Sequence, residues 1–535
     1  MRRKDDTRTR LLFVLHGHIP DVVGHGTWPH GENWLYEAAA ESYLPFLRHA
    51  WRLRDGGVRV RFTVGMTPVL AEQLQDDRFK EGFLRYLAQR ARAAALDREA
   101  LAAIQDEGAL LGETWRRFYT DLRELFLALP GRDIIGAFRA LAEEGLVEPI
   151  ASAATHGFLP LLPSDRAVAR QLDVGLAAHE RHFGRPARGI WLPECAYRPA
   201  GLWISPADGH AEPRRGLEDF LADRDVGYFF VETHLVQGGV FSPAYGGEAR
   251  SSQRGTPYRI NAVISSDGFP VAVFARDPLS SQQVWSGKVG YPGDGRYLEF
   301  HKKRAPSGHR YWRVTDSSLD LHEKEPYDPD EIAAAIDSHA THFVSMVENV
   351  PPLEDGTPSV VVGMFDFELF GHWWFEGPDF LAAVTEKLAG SERAVAVTAS
   401  EALEDAPPAG ALAMPAGTWG RNGDFQVWWN DGTLDYWRRV DEAERTMEEL
   451  EDSHARVPVT LFAALERQTL LLQSSDWPFL IDNEVSQDYA RHRIDEHHGD
   501  FRRLAEMAAR GVVRRDVLRE IFARDRLFAP ELGDG

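Results

Sequence analysis

Short apolar segments recur along the chain, and helical stretches lie between several of them. We interpret eight of these segments as core strands, at residues 11–15, 58–64, 149–153, 189–192, 228–231, 272–274, 360–364 and 394–397. The helical stretch over residues 34–54 separates the first two and completes a β-α-β opening. Strands that alternate with helices favour a parallel sheet covered by helices. The sequence therefore predicts an α/β fold.

Helical periodicity without strand signals fills two other parts of the chain. Residues 79–87 and 115–126 place apolar side chains at three- and four-residue steps, the period of a helix face. Residues 405–410 resemble a linker, and we expect helices after it over residues 435–453, 459–473, 488–510 and 514–524. The predicted organisation is an α/β domain over 1–75 and 136–404, a helical insertion over 76–135 and a C-terminal helical domain over 405–535.

Residues 237–257 are rich in Gly and Ser and include Tyr245. A long loop inside a compact domain is usually functional or disordered. We expect such a loop here.

Charge and cysteine content exclude several classes of function. The chain of 535 residues has 82 acidic and 60 basic residues, a formal charge of −22, so nucleic acid is not an expected partner. Cys195 is the single cysteine, which excludes an intrachain disulfide and a cysteine zinc site. The apolar run at residues 11–15 is too short for a signal peptide or a membrane span. We expect a cytoplasmic protein with no membrane partner.

Two segments place a carboxylate among aromatic residues. Residues 189–199 read GIWLPECAYRP around Glu194, and residues 365–377 read FDFELFGHWWFEG around Asp366. The second follows a β-branched run, which puts Asp366 at the C-terminal end of a buried strand. A pair of carboxylates can supply the acid and the nucleophile for glycosidic bond cleavage, and aromatic faces stack on sugars. Structural ion pairs are the alternative, with Arg198 and His372 as nearby partners.

Histidines and tryptophans add further candidates. His16 and His18 share one strand face, which is geometrically fit for a metal, and a metal site built from His16, His18 and His156 is the alternative. No His-Glu-x-x-His motif is present, however, and we expect no metal and no other cofactor. Four of the 15 tryptophans lie in Gly-, Pro- or Asn-rich surroundings, where they line a site more often than a core. These four are Trp28, Trp285, Trp419 and Trp428. Packing between the sheet and the C-terminal helices is their alternative role.

The two carboxylate segments resemble those of glycoside hydrolase family 57, and four further segments match in the family's order. These are LHGHIP at residues 15–20, ATHGFLP at 154–160, the tryptophan-rich stretch at 419–430 and QSSDWPF at 473–479. Within the family, WLPECAYRP and FGHWWFEG are most similar to 1,4-α-glucan branching enzymes. The resemblance implies an incomplete (β/α)7 barrel and transfer of a glucan chain to a C6 hydroxyl. An α-amylase or a 4-α-glucanotransferase is the alternative within the family.

The resemblance also implies roles for single residues. Glu194 would be the nucleophile and Asp366 the general acid/base of a retaining double displacement. The remaining candidates would bind the sugar chain: His16, His156 and Asp476 at the reacting subsite, the four tryptophans around the cleft, and Tyr245 on a mobile loop over it. For the histidines, capping or core hydrogen bonds are the alternative. For Tyr245, the alternative is an incidental position on a surface loop.

Two functions other than that of an active glycoside hydrolase remain open. A glucan-binding protein with an inactive barrel would not need both Glu194 and Asp366. A metal-dependent polysaccharide deacetylase would need an Asp/His/His ligand set that the sequence does not reveal. The expected partner is an α-glucan such as amylose, amylopectin or glycogen, and a monomer is favoured.

Overall fold

The computed structural model describes residues 6–27, 30–453 and 457–528. Thirteen strands lie in these residues: β1 Thr9–Gly17, β2 Phe62–Met66, β3 Val147–Ser152, β4 Gly189–Trp191, β5 Gly201–Ile204, β6 Ala211–Arg214, β7 Tyr228–Val231, β8 Gln237–Phe241, β9 Ala249–Arg254, β10 Asn261–Ile264, β11 Pro270–Ala275, β12 Val360–Asp366 and β13 Ala394–Ala396. Each of the eight predicted strand segments overlaps one of them, which confirms those predictions.

Seventeen α-helices lie in the same residues: α1 Glu32–Ala38, α2 Leu44–Asp55, α3 Pro68–Gln75, α4 Asp77–Ala103, α5 Gly108–Ala128, α6 Ile134–Glu143, α7 Asp165–Phe183, α8 Leu217–Ala222, α9 Pro278–Trp285, α10 Ile332–Glu348, α11 Gly377–Ala389, α12 Ala399–Asp405, α13 Leu434–Asp452, α14 Val459–Leu472, α15 Asp476–Asp482, α16 Gln487–Arg510 and α17 Arg515–Arg524. A π-helical turn, Ala39–Tyr43, joins α1 to α2. Within the described residues, no helix combines the length and the apolar character that crossing a membrane requires.

The central sheet is largely parallel. Seven strands run parallel in the order β11-β7-β4-β3-β2-β1-β12. β13 pairs in parallel with the first residues of β1, and β10 adds an antiparallel strand beside β11. Helices cover this sheet, so its strands are buried on both faces and their sequences are mainly apolar. In β12, for example, all residues before Asp366 are buried.

The C-terminal helices pack onto one side of the sheet. Ile190 of β4 and Val231 of β7 share an apolar core with Trp437 of α13, Leu465 of α14 and Ile494 of α16. This packing brings the turn between α14 and α15 against the segment that follows β3, where Gly157 and Ser474 form an antiparallel bridge. The helical part of the chain therefore reaches the C-terminal edge of the sheet.

The segment expected to be a long loop is a β-hairpin. β8 and β9 pair antiparallel from Gln237↔Arg254 to Phe241↔Ala249, and Tyr245 lies in the connection between them. Gly238 and Gly239 interrupt the register and weaken the side-chain alternation that marks a strand, which is why the sequence did not reveal the pairing.

Candidate active site

The candidate residues meet at the C-terminal ends of the parallel strands. His16 lies near the end of β1, and His156 and Glu194 follow β3 and β4. Asp366 is the last residue of β12 and stands opposite His16 in the β1–β12 register. The C-terminal ends of parallel strands share one edge of a sheet, where loops can be shaped for chemistry without disturbing the core. Residues far apart in the sequence thereby form one cluster.

The backbone of Glu194 adopts an uncommon conformation. Glu194 has φ 61° and ψ 22°, and Cys195 has φ 49°, in the short turn Pro193–Cys195. Left-handed backbone costs a non-glycine residue about 1–2 kcal/mol, so the surroundings must hold it. Trp419 N donates to the carbonyl oxygen of Glu194 at 3.3 Å, and the Thr418 hydroxyl donates to the same oxygen. The distant segment that contains Thr418 and Trp419 thus holds the turn at Glu194.

Three side chains donate to the Glu194 carboxyl group. Trp419 Nε1 donates to Oε2 at 2.8 Å, and the Tyr245 hydroxyl approaches the same oxygen at 3.4 Å. The Ser475 hydroxyl reaches Oε1 at 3.4 Å. Burial raises the pKa of Glu194 to about 8 against the lowering effect of Trp419, and the negative charge of Asp366 adds to the rise.

Asp366 lies beside a second carboxyl group. Its pKa is raised well above the usual range by burial and by the negative charge of Glu368. Glu368 accepts hydrogen bonds from the Tyr43 hydroxyl and, at 3.1 Å, from His18 N. Burial raises the pKa of Glu368 to about 7, while Tyr43 opposes the rise. The site therefore gathers carboxyl groups that cannot all ionise together.

Two pairs of polar side chains line the site next to these carboxyl groups. His16 Nε2 lies 3.0 Å from His156 Nε2, and the His16 ring stacks on Trp191 at 4.5 Å. Burial holds the pKa of both histidines well below the usual range, so both are neutral near pH 7. His18 Nε2 lies 2.9 Å from Asp476 Oδ2. Burial opposes the ionisation of Asp476, but the nearby His18 outweighs it and lowers the pKa of Asp476 to about 2.

His18, His156 and Asp476 also form a possible metal-ligand set. One ligand atom from each lies within 4.8 Å of the others. His16 and His18, the histidines that share a strand face in the sequence, do not make a set by themselves. His18 already pairs with Asp476, and its Nδ1 lies 3.0 Å from Thr67 Oγ1. Protein partners thus satisfy this imidazole without an ion.

Aromatic rings enclose the Glu194 side of the site. Trp419 is buried and lies edge-on to Tyr245 at 5.8 Å, to Trp285 at 6.0 Å and to Trp191 at 5.1 Å. Trp428 is fully buried and stacks on Phe158 at 4.5 Å, which is the packing role weighed for it from the sequence. Its ring reaches Tyr245 at 6.5 Å. Trp28 lies outside the described residues.

Sequence reasoning assigned no role to several residues of the site. Ser475 lies in the segment at residues 473–479, in which only the neighbouring Asp476 is a sequence-based candidate. Trp191 also lies in a highlighted segment, but its stacking on His16 joins β1 to β4, which β3 and β2 separate in the sheet, and no local pattern shows such a contact. Tyr43 lies in the π-helical turn, far from every motif, and no sequence signal could have found its bond to Glu368.

Family models match most of the chain. The model of glycosyl hydrolase family 57 matches residues 12–415, and that of the 1,4-alpha-glucan branching enzyme C-terminal region matches residues 439–532. The chain is 41% identical to a 1,4-alpha-glucan branching enzyme of Thermococcus kodakarensis over 97% of this chain and 77% of that protein. It is 33% identical to a probable 1,4-alpha-glucan branching enzyme of Mycobacterium tuberculosis over 96% and 94% of the two chains.

Solved structures show the same likeness. The crystal structure of the Thermococcus enzyme, in complex with glucose, superposes with a TM-score of 0.90 at 40% identity and covers 97% of this chain and 95% of that one. The alpha-amylase AmyC of Thermotoga maritima superposes with a TM-score of 0.81 at 30% identity, over 98% of both chains.

Proposed function

The chain belongs to glycosyl hydrolase family 57, and we infer that it acts as a 1,4-α-glucan branching enzyme. Such an enzyme cleaves an α-1,4 bond and transfers the released chain to a C6 hydroxyl, which creates an α-1,6 branch. The observation that carries this inference is the match of both the catalytic part and the C-terminal part of the chain to branching enzymes along almost its whole length. Its substrate is then an α-glucan such as amylose, amylopectin or glycogen.

We propose that Glu194 and Asp366 perform a retaining double displacement. Glu194 attacks the anomeric carbon and forms a glycosyl-enzyme, while Asp366 protonates the departing glycosidic oxygen. Asp366 then removes the proton from the incoming C6 hydroxyl, which displaces Glu194 from the sugar. Each step uses a carboxyl group that the fold places at the same edge of the sheet.

The hydrogen-bond partners support this division of roles. A nucleophile must be ionised, and Glu194 receives donors from Trp419, Tyr245 and Ser475, all of which stabilise a carboxylate. An acid must keep its proton, and burial beside Glu368 favours the neutral form of Asp366. A negative charge shared between the two groups would therefore reside on Glu194.

We propose that the surrounding side chains bind the sugar in the reacting subsite. His16, His156 and Asp476 supply polar contacts at the edge of the carboxyl cluster, and the rings of Trp285, Trp419 and Tyr245 enclose it. Trp28 and Trp428 complete the set in this proposal. Full burial of Trp428 behind Phe158 suits a supporting position better than direct stacking on a sugar.

We further propose that the sheet forms an incomplete (β/α)7 barrel. The seven parallel strands from β11 to β12 support this, and so does the hydrogen bond of 2.9 Å from Asp277 N to Val362 O, which joins the chain after β11 to β12. The proposed catalytic domain covers 1–75 and 136–404, with the helical insertion at 76–135 and the helical domain at 405–535.

We place the enzyme in the cytoplasm, in glycogen synthesis. A single buried cysteine suits a reducing compartment.

An α-amylase is the second candidate, because AmyC shares the fold over almost the whole of both chains. The two functions differ in the acceptor of the glycosyl group. Proton NMR of amylose incubated with the protein separates them. New α-1,6 anomeric signals are expected for branching. New reducing ends without them would show hydrolysis, and redistributed α-1,4 chains would show a 4-α-glucanotransferase; either result would contradict the proposed function.

A further inference from the structure

Ser475 connects the candidate nucleophile to a buried pair of histidines. Its hydroxyl oxygen lies 3.4 Å from Glu194 Oε1 and 2.9 Å from His156 Nδ1. His156 Nε2 in turn lies 3.0 Å from His16 Nε2. All four side chains are buried. They form an unbroken chain of polar contacts that ends on the carboxyl group.

One direction of the protons in this chain is favoured while Glu194 is ionised. A carboxylate only accepts hydrogen bonds, so the contact between Ser475 and Glu194 is a hydrogen bond only when the single hydroxyl proton of Ser475 points to Glu194. Ser475 then accepts from His156 Nδ1–H. Neutral His156 therefore presents an unprotonated Nε2, which accepts from His16 Nε2–H. The opposite arrangement at Ser475 would aim an oxygen lone pair at the carboxylate.

An independent observation agrees with this direction. His16 Nδ1 is buried and has no hydrogen-bond partner among the described residues. In the arrangement above, this atom is an unprotonated acceptor. If the chain were reversed, His16 would carry its proton on Nδ1 and a buried N–H donor would lack a partner. Orphaned buried N–H groups are rarer than unsatisfied acceptors. The buried Nδ1 of His16 thus disfavours the reversed order of hydrogen bonds.

We propose that Ser475 is a positioning residue that favours the ionised, reactive form of Glu194 through the chain His16→His156→Ser475→Glu194. This inference rests on the proposed role of Glu194 as the nucleophile. Ser475 belongs to the turn between α14 and α15, and its backbone N donates to His156 O at 3.1 Å. Docking of the C-terminal helices therefore completes the surroundings of a carboxyl group that the sheet provides.

The test is the pH dependence of kcat/KM for a 4-nitrophenyl α-maltooligoside. The good leaving group needs little acid assistance, so the acidic limb reports the ionisation of Glu194 in the free enzyme. Ser475→Ala removes a donor to the carboxylate. We expect its acidic limb to move up by about 0.5 pH unit and its plateau kcat/KM to fall about fivefold. Ser475→Thr keeps the hydroxyl and should keep the wild-type limb.

Two further variants keep the test decisive. Thr469→Val removes a buried hydroxyl of α14 whose side-chain hydrogen bond, among the described residues, stays within the helix at 3.0 Å from Leu465 O. The acidic limb of this variant should not move. If Ser475→Ala does not fold, Ser475→Cys takes its place in the test. A thiol is nearly isosteric with the hydroxyl but a weaker donor, so the acidic limb of the pH profile should also move up in this variant.

The proposal is overturned if folded Ser475→Ala or Ser475→Cys keeps the acidic limb of the wild-type pH profile. It is also overturned if the fall in kcat/KM comes only from a higher KM. Glu194→Gln serves as the reference for the function itself. If Glu194→Gln is inactive while Ser475→Ala keeps the wild-type limb, the inference about Ser475 fails and the nucleophile stands. If Glu194→Gln remains active, the proposed function of Glu194 fails.

Discussion

The indole Nε1 of Trp419 donates a hydrogen bond of 2.8 Å to Glu194 Oε2, and the backbone N of the same tryptophan contacts the Glu194 carbonyl oxygen at 3.3 Å. One residue therefore holds both the side chain and the strained backbone of the candidate nucleophile. An indole N–H donates but never accepts, so its bond favours the carboxylate over the carboxylic acid.

Trp419→Phe keeps an aromatic ring and removes this donor. A hydrogen bond to a charged group contributes about 1.5–3 kcal/mol, so we expect kcat to fall about tenfold or more. Because the carboxylate loses a donor, the pKa of Glu194 should rise further and the acidic limb of the pH–rate profile should move up. Trp437→Phe is the matched control, since Trp437 Nε1 donates to Trp428 O at 2.8 Å in the core. A similar shift of the limb in the control would contradict the assignment.

Glu194→Gln should abolish both transfer and hydrolysis while the fold remains intact, because an amide cannot form the glycosyl-enzyme. Asp366→Asn should lose comparable activity on glucan. It should retain first-step activity on a substrate with a good leaving group, which needs no acid. Glucan assays and a 4-nitrophenyl glycoside assay distinguish the two variants. Substantial glucan activity in either purified variant, with circular dichroism unchanged, would disprove its catalytic role.

Tyr245→Ala should lose branching much more than total bond cleavage. The residue lies in the connection of the β8–β9 hairpin, beside the Glu194 carboxyl group, where it can shield a glycosyl-enzyme from water. Tyr245→Phe keeps the ring and loses only the hydroxyl, so its ratio of branching to hydrolysis should stay near that of the wild type. The measurement is the count of α-1,6 signals against new reducing ends. Equal ratios in all three proteins would mean that this residue does not protect the intermediate.

His25 should give the fold a stability that disappears at alkaline pH. Burial opposes its charging, but contacts with Asp21, Asp525 and Glu496 outweigh this and raise the pKa of His25 to about 9. A raised folded-state pKa contributes stability that is fully present below the unfolded value of about 6.5 and is lost as pH rises through about 9. The contribution amounts to roughly 3 kcal/mol at most.

Urea denaturation between pH 6 and 10 measures this effect. The free energy of unfolding of the wild type should approach that of His25→Gln as pH rises, and the gap should be widest below pH 6.5. His492→Gln replaces an exposed histidine of α16 and should leave the pH dependence unchanged. A constant difference between wild type and His25→Gln across this range would show that His25 is not a buried cation.

Activity should survive exhaustive EDTA treatment. His18 and Asp476 already satisfy each other at 2.9 Å, and the double displacement needs only carboxyl groups. The assay compares branching activity before treatment, after treatment and after zinc is added back. A loss that zinc restores would favour a metal at His18, His156 and Asp476 and would support the deacetylase alternative.

Local sequence determined eight of the thirteen strands in the described residues. The β-branched run before Asp366 is apolar enough to form a strand buried on both faces, and this alone puts the carboxyl group at a strand end. The periodicity of the C-terminal helices likewise predicted four of the five within a few residues, while the short α15 was not predicted. The carboxylate segments made Glu194 and Asp366 the candidates, because buried charges need a partner or a function. These features depend on residues close together in the chain.

Tertiary structure decided what those residues contact. The bonds from Ser475 and Trp419 to Glu194 join positions 281 and 225 residues apart, and no local pattern encodes such pairs. The left-handed backbone of Glu194 also follows from contacts with a distant segment rather than from its own preference, which disfavours that conformation. Strand order and helix docking set these distances because they depend on packing across the whole core. The sequence could therefore name the carboxyl groups, while only the fold shows which donors hold them.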